Sequence, residues 1–182
     1  LRYAYDLVLV DLGPVLDLES DGRRAIANSP DGLRLVSLTS AGEIEVDAEF
    51  PTGNGLVSGP WIYTLSVDAL TFSYSIPSAP PGTISTLTVP GMHLGLAIAD
   101  DHLLLARREG PQVVVHVVDV TRPATPRWFQ SIPLADTLAL TLAADSDVAI
   151  GIGTSWTSSS SESDHLVIYE RGEGGWSPSA TA

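Results

Sequence analysis

Acidic residues stand in pairs at two predicted turns of this 182-residue chain. Asp100 and Asp101 form one pair, and Asp145 and Asp147 form the other at the equivalent turn of a second segment. Hard cations such as calcium require about six to eight oxygen ligands, which turn carboxylates supply. The pairs are therefore the candidate calcium site of a chain for which we otherwise expect no cofactor. The chain has no D-x-D-x-D-G loop, however, and Asp is also common in turns because its side chain bonds the local backbone.

A serine-rich segment is the second candidate site. Trp156 lies in GTSWTSSSSESD, residues 153–164, where the neighbouring unit has only a short turn. An aromatic ring on an irregular loop gives a partner a large contact area at a small entropy cost. Together with Asp164 and His165, Trp156 predicts a ligand-binding site for a protein or a glycan. The alternative is that the indole packs against its own sheet.

No catalytic residue is predicted. The chain lacks a nucleophile elbow, a Walker loop, a zinc-binding histidine pair and a dinucleotide-binding glycine fingerprint. It also lacks cysteine, which excludes disulfides and thiolate chemistry. The four histidines, at positions 93, 102, 116 and 165, are dispersed, and we interpret them as polar residues of turns and strands that face water. The alternative is that the fold brings them together at one site.

The charge balance limits the partners. The 22 acidic residues outnumber 9 basic ones, all of them arginine, and the formal net charge is −13. Such a charge repels phosphate backbones and anionic lipids, so nucleic acid and membrane surfaces are unfavourable partners. No apolar run approaches the roughly 18 residues of a membrane-spanning helix, and no signal peptide is visible. Because the chain begins Leu-Arg-Tyr, we expect it to be a segment of a longer protein.

Most of the chain consists of short β-branched and aromatic runs, separated by Gly, Pro, Asp and Ser. The structure formed by these runs must position the candidate site residues. No stretch has the apolar spacing of a helix, so the pattern predicts an all-β fold. Residues 94–106 align with residues 138–151, and a weaker copy spans 56–65. The repeat of about 44 residues is typical of four-stranded β-propeller blades.

Two prolines mark a corner within one repeat. We predict a third strand over 113–120, a corner over 121–126 and a fourth strand over 127–132, because proline cannot donate to a β-ladder. The counterparts are 69–76, 77–82 and 83–89 in the preceding unit. In the last unit they are 165–170, 171–175 and a strand from Trp176.

The N-terminal third allows two interpretations. The turn Ser29-Pro-Asp-Gly32 either joins strands one and two of a unit whose third strand is 43–50, or follows a first strand at 15–19 in a unit that ends at Phe50. Residues 5–11, YDLVLVD, resemble 114–119 and are predicted to form a third strand of a truncated unit.

The segment VVDVTRPATP at 117–126, followed by SIPL, resembles the bacterial and archaeal surface β-propeller repeats of LVIVP type and related secreted propellers. The SPDG turn is similar to a hairpin found across many propellers. The match covers about 60 residues, and it implies radially packed four-stranded sheets without implying an activity.

The sequence therefore predicts one all-β domain of about four antiparallel four-stranded propeller blades, at 12–54, 55–91, 92–135 and 136–182, which form either a small ring or part of a larger one. We expect a non-catalytic binding or scaffold module of an extracytoplasmic bacterial protein, at the cell surface or outside the cell. One alternative is a hydrolase or lyase that uses acidic residues or calcium. Another is a structural segment that completes a larger propeller, for which self-association is a route.

Overall fold

The structure is a computed structural model, and it describes residues 17–20, 24–29, 32–38, 42–50, 53–75, 81–134, 137–156 and 162–181. Within these ranges the chain forms sixteen β-strands and no helix. No helix that could cross a membrane is present there either. The strands form four antiparallel sheets of four strands each, in simple sequential order. The all-β prediction is confirmed.

We call the four sheets blades 1 to 4. Blade 1 contains β1 (Asp17–Ser20), β2 (Arg24–Ser29), β3 (Gly32–Leu38) and β4 (Ile44–Phe50). Blade 2 contains β5 (Asn54–Ser58), β6 (Trp61–Leu65), β7 (Ala69–Tyr74) and β8 (Gly82–Thr88). Blade 3 contains β9 (Met92–Ala99), β10 (His102–Glu109), β11 (Gln112–Asp119) and β12 (Arg127–Leu134). Blade 4 contains β13 (Thr137–Asp145), β14 (Val148–Trp156), β15 (Glu162–Gly172) and β16 (Gly175–Thr181).

The proline corner lies where the sequence predicts it, between β11 and β12. In blade 1 the second interpretation is correct, because β1 precedes β2 and the SPDG segment joins strands two and three. The predicted strand at 5–11 lies outside the described residues.

A bulge recurs between the third and fourth strands of three blades. In each case the fourth strand carries one extra residue: Asp47 in blade 1, Phe129 in blade 3 and Ser179 in blade 4. A bulge bends its strand and redirects the side chains beside it. The sequence repeat is therefore matched by a repeated irregularity, which hydrophobic alternation alone does not predict.

The chain divides into two compact units. Unit 1 comprises Leu1–Thr64 and Ser73–Thr83, and its core is a cluster of Ile26, Leu33, Leu35, Val57 and Ile62. Unit 2 comprises Leu65–Phe72 and Ile84–Ala182. Its larger core lies between blades 3 and 4, where Leu104, Val115 and Val117 meet Leu140, Val167 and Trp176.

Candidate functional site

The two predicted acidic turns meet around an arginine. Arg171 on β15 donates from Nη1 to Asp101 Oδ1 at 2.7 Å and from its backbone N–H to the Asp147 carbonyl at 2.8 Å. The hydrogen bond from Arg171 lowers the pKa of Asp101. That bond, together with the charges of Asp147 and Asp100, raises the pKa of Arg171. Unit 2 thus places a guanidinium of its own where the sequence predicts calcium.

Asp145, the remaining member of the acidic set, accepts a hydrogen bond from the Ser146 hydroxyl at 3.2 Å. Across the described ranges, no group of three or more His, Asp or Glu side chains is arranged to hold a metal ion. Calcium binding at these turns stays a prediction, and calcium would have to compete with Arg171 for Asp101.

Both acidic turns contain a residue with left-handed backbone. Asp100 has φ 50° and Ser146 has φ 47°, at the first position of each two-residue turn. Glycine is the residue that this position usually selects, and Gly110 occupies the corresponding place between β10 and β11 with φ 62°. The polar residues therefore occupy these turns at a conformational cost.

A buried polar group joins blades 3 and 4. The Trp176 indole donates from Nε1 to His102 Nδ1 at 3.0 Å, and Phe129 stacks on the imidazole at 4.8 Å between ring centroids. Because an indole N–H can only donate, His102 Nδ1 must be unprotonated. His102 is only 6% exposed, and burial lowers its pKa. The interpretation that this histidine faces water is wrong.

Gln130 completes this junction. Its amide oxygen accepts the Trp176 backbone N–H at 2.8 Å, and its amide nitrogen donates to the Trp176 carbonyl at 2.6 Å. The bulge on β12 places both Phe129 and Gln130 next to Gly175, the residue before Trp176. A Cβ on Gly175 would lie 3.2 Å from the Phe129 ring and 2.6 Å from the Gln130 amide oxygen. The junction is therefore a structural element of the fold.

Three side chains of blade 3 form a hydrogen-bonded chain. His116 Nε2 lies 2.8 Å from Glu109 Oε1, and its Nδ1 lies 2.9 Å from Ser131 Oγ. A carboxylate accepts, so Nε2 donates and Nδ1 of a neutral imidazole accepts the serine proton. Serine, histidine and carboxylate in this order are the residue types of acyl-transfer enzymes. The sequence gives no sign of the trio because its members come from three different strands.

A pocket opens at the proline corner of blade 3. Its volume is about 210 Å³, and it is lined by Asp119, Thr121, Arg122, Thr125 and Arg127. Asp119 Oδ1 accepts hydrogen bonds from the Thr121 backbone N–H at 2.9 Å and the Thr121 hydroxyl at 2.6 Å. These bonds lower the pKa of Asp119, so its carboxylate stays ionised. The sequence predicts a turn at this corner but does not indicate a site.

The corner is held in place from several sides. Pro123 is buried, and its carbonyl accepts the Ser85 hydroxyl at 2.5 Å. The Thr125 backbone N–H donates to the Arg122 carbonyl at 2.8 Å, and Val120 donates to the Asp101 carbonyl at 2.8 Å. Hydrogen bonds within the protein therefore fix the backbone that carries the pocket.

The predicted ligand-binding residues Trp156, Asp164 and His165 lie in a hairpin of blade 4. The predicted loop over 153–164 is wrong at both ends, because residues 153–156 belong to β14 and residues 162–164 to β15. Asp164 pairs with Thr154, and His165 pairs with Gly153. Thr154 and Trp156 favour strands, which agrees with the extension of β14. The side chains of Trp156, Asp164 and His165 are outside the described set, so their role stays a prediction.

No family model matches the chain, and no curated protein matches it in sequence. Solved structures do match. Hydrazine synthase of Kuenenia stuttgartiensis aligns with a TM-score of 0.65 at 10% identity, over 88% of this chain and 52% of its own. The N-terminal domain of Nup159 aligns at 0.54 and 12% identity, over 90% and 47%. PorZ of Porphyromonas gingivalis aligns at 0.50 and 15% identity, over 91% and 21%.

These similarities show the fold alone, which is that of β-propeller blades. The expected resemblance to propellers is confirmed at that level, whereas no comparison supports the LVIVP type in particular. The chain spans about half the length of the first two structures. It spans 21% of the third.

Proposed function

We propose that the chain is a protein-binding scaffold module that associates with a second copy of itself through the outer face of blade 4. The observation that carries this proposal is an exposed apolar sheet face. Val148, Ile150, Ile152 and Leu166 are 42%, 42%, 58% and 37% exposed. Ile152 pairs with Leu166 across the two central strands, so the residues form one patch. The opposite face of the same strands is buried in the core.

The burial of β14 in blade 4 differs from that of the equivalent strand in blade 3. β10, the counterpart of β14 in the sequence repeat, is covered on both sides, and Leu103, Leu104 and Leu105 are all fully buried. In β14 the corresponding apolar residues are buried on one side only. A solvent-facing sheet surface normally alternates to polar residues, and a contiguous apolar patch marks an interaction site. The face is therefore suited to another blade.

A second copy fits this face for two reasons. The blade of a second chain offers a sheet face of the same architecture, and the similar structures continue for about as many residues again as this chain supplies. Two copies would provide a comparable number of blades. In a longer polypeptide, following residues would cover the same face in place of a second copy.

The test is the mass of this chain in solution by size-exclusion chromatography with light scattering. We expect twice 19.2 kDa for the native sequence. Ile152→Glu should return it to the monomer, because a buried unpaired carboxylate opposes association. Ile84→Glu is the matched control, since Ile84 is an exposed isoleucine of β8. A native chain that stays monomeric, or an Ile152→Glu variant that still dimerises, would overturn the proposal.

We further propose an extracytoplasmic bacterial location. It rests on the resemblance of the 117–126 corner to secreted surface propellers. Protease treatment of intact source cells, followed by detection of this chain, tests it. Protection equal to that of a cytoplasmic marker would contradict the location.

A hydrolase is the second candidate function, and the hydrogen-bonded Ser131, His116 and Glu109 favour it. In an ester hydrolysis, Ser131 Oγ would attack the carbonyl carbon, His116 would take the serine proton and return it to the leaving alcohol, and water would then release the acid. The test is the hydrolysis of 4-nitrophenyl acetate by the native chain and by Ser131→Ala. Hydrolysis by the native chain that is lost in the variant supports the hydrolase function. A rate equal in both proteins means that the trio only stabilises blade 3.

A further inference from the structure

We propose that the proline-corner pocket of blade 3 binds the carboxylate of an acidic sugar residue at the end of a glycan. The pocket goes beyond the association proposed above and does not depend on it, because the two surfaces involve different residues. Its lining contains two arginines in a chain with only nine basic residues and a net charge of −13. This concentration of positive charge is the first observation to explain.

Within the described part of the chain, no partner occupies the arginine side chains of the pocket. Elsewhere in the described ranges, arginine side chains already have partners: Arg24 donates to the Ser75 carbonyl, Arg34 pairs with Glu49, and Arg171 pairs with Asp101. Arg122 and Arg127 make no side-chain hydrogen bond or ion pair with any described residue. Arg127 does lie near enough to Asp119 to lower the pKa of that carboxyl. A guanidinium with open donors binds a carboxylate in a bidentate manner.

Asp119 narrows the class of ligand. Its Oδ1 accepts both hydrogen bonds from Thr121, and Oδ2 has no hydrogen-bond partner among the described residues. This carboxylate repels a multiply charged anion such as phosphate more strongly than it repels a singly charged one. A singly charged ligand that also carries hydroxyl groups would bind the arginines with its carboxylate and donate a hydroxyl to Asp119. The Thr121 and Thr125 side chains line the same pocket.

The size of the pocket sets the length of the ligand. Its volume of about 210 Å³ is below the roughly 300 Å³ at which pockets for drug-sized molecules begin. One sugar ring therefore fits better than an enclosed oligosaccharide. Because hydrogen bonds fix the corner backbone, we expect little conformational entropy to be lost on binding. These properties together favour a uronic acid residue at the end of a glycan as the ligand.

The experiment uses methyl β-D-glucuronide, with methyl β-D-glucoside as the matched neutral ligand, in a titration followed by protein NMR chemical shifts. We expect the glucuronide to shift resonances of 119–127 saturably and to bind at least about tenfold more tightly than the glucoside. Arg122→Gln and Arg127→Gln should each weaken binding by about tenfold or more, since each removes a charged hydrogen bond. Arg34→Gln is the control, because it removes the same charge from an exposed pair with Glu49.

Asp119→Asn separates a sugar site from a general anion site. It should weaken glucuronide binding and strengthen the binding of inorganic phosphate, which the native carboxylate repels. If phosphate binds the native pocket as tightly as the glucuronide, the assignment to an acidic sugar is overturned. It is equally overturned if the glucoside and the glucuronide bind alike, or if Arg34→Gln has the same effect as the pocket variants. The mass measurement above is unaffected by any of these outcomes.

Discussion

At the scale of single residues, the amide of Gln130 has the clearest structural role. It satisfies both the N–H and the carbonyl of Trp176, which is 1% exposed. Gln130→Ala leaves these two backbone groups without their partner, and we expect the free energy of unfolding to fall by about 1 to 2 kcal/mol. Urea unfolding followed by tryptophan fluorescence measures the change.

Gln112 provides the matched control for this prediction. It is the other glutamine of the chain and lies exposed at the start of β11. Gln112→Ala should change the stability by less than about 0.5 kcal/mol. Equal effects of the two substitutions would show that the Gln130 bonds contribute nothing of their own.

His102 makes the stability depend on pH. Burial lowers its pKa in the folded state, followed in importance by the charge of Arg171, whereas Asp101 and Asp119 oppose the shift. The unfolded chain, with a histidine pKa of about 6.5, therefore binds the proton more readily. The stabilisation from neutral His102 is complete above about pH 6.5 and decreases as the pH falls below it.

Thermal unfolding between pH 8 and pH 5 tests this prediction. His102→Asn keeps an acceptor for the Trp176 indole and should flatten the decrease in Tm below about pH 6.5. His93→Asn is a necessary companion, because burial also lowers the pKa of His93. A profile unchanged in His102→Asn would contradict the buried neutral imidazole.

At the scale of elements, the close approach of β9 to β13 depends on a glycine. A Cβ at Gly95 would lie 3.0 Å from the Leu140 carbonyl oxygen and 3.3 Å from the Leu142 nitrogen. Both are backbone atoms, which cannot move aside as a side chain can. Gly95→Ala should therefore destabilise unit 2 by about 1 to 3 kcal/mol.

Gly174→Ala is the control for this change, because a Cβ there would meet nothing within 4 Å. Its effect on the urea midpoint should be small or stabilising, since alanine restricts the unfolded chain. If Gly95→Ala were equally neutral, β9 and β13 would have to be farther apart than the distances at Gly95 indicate.

The elements also show how far the sequence determines the fold. Strands and corners are predictable because their signals are local: Pro123 and Pro126 end one ladder, and apolar alternation marks the strands on either side. The partner of Asp101 cannot be predicted from local signals, because Arg171 lies 70 residues away in the chain. The bulge at Phe129 is likewise invisible, although it creates the junction with Trp176. Pairing across blades and small shifts of register require the three-dimensional structure.

At the scale of the whole molecule, charge and apolar surface act against each other. Two copies that each carry a formal charge of −13 repel, whereas the patch of Ile150, Ile152 and Leu166 favours contact. Salt separates the two contributions, because the Debye length falls from about 30 Å at 0.01 M to about 3 Å at 1 M while burial of apolar surface is not weakened.

We therefore expect the dissociation constant of the dimer, measured by sedimentation equilibrium, to decrease as sodium chloride is raised from about 0.02 to 0.5 M. Glucuronide binding at Arg122 and Arg127 should weaken over the same range, because it depends on attraction between opposite charges. The two proposed surfaces thus respond to salt in opposite directions. A dimer that dissociates with added salt would mean that ion pairs, and not the outer face of blade 4, hold the two copies together.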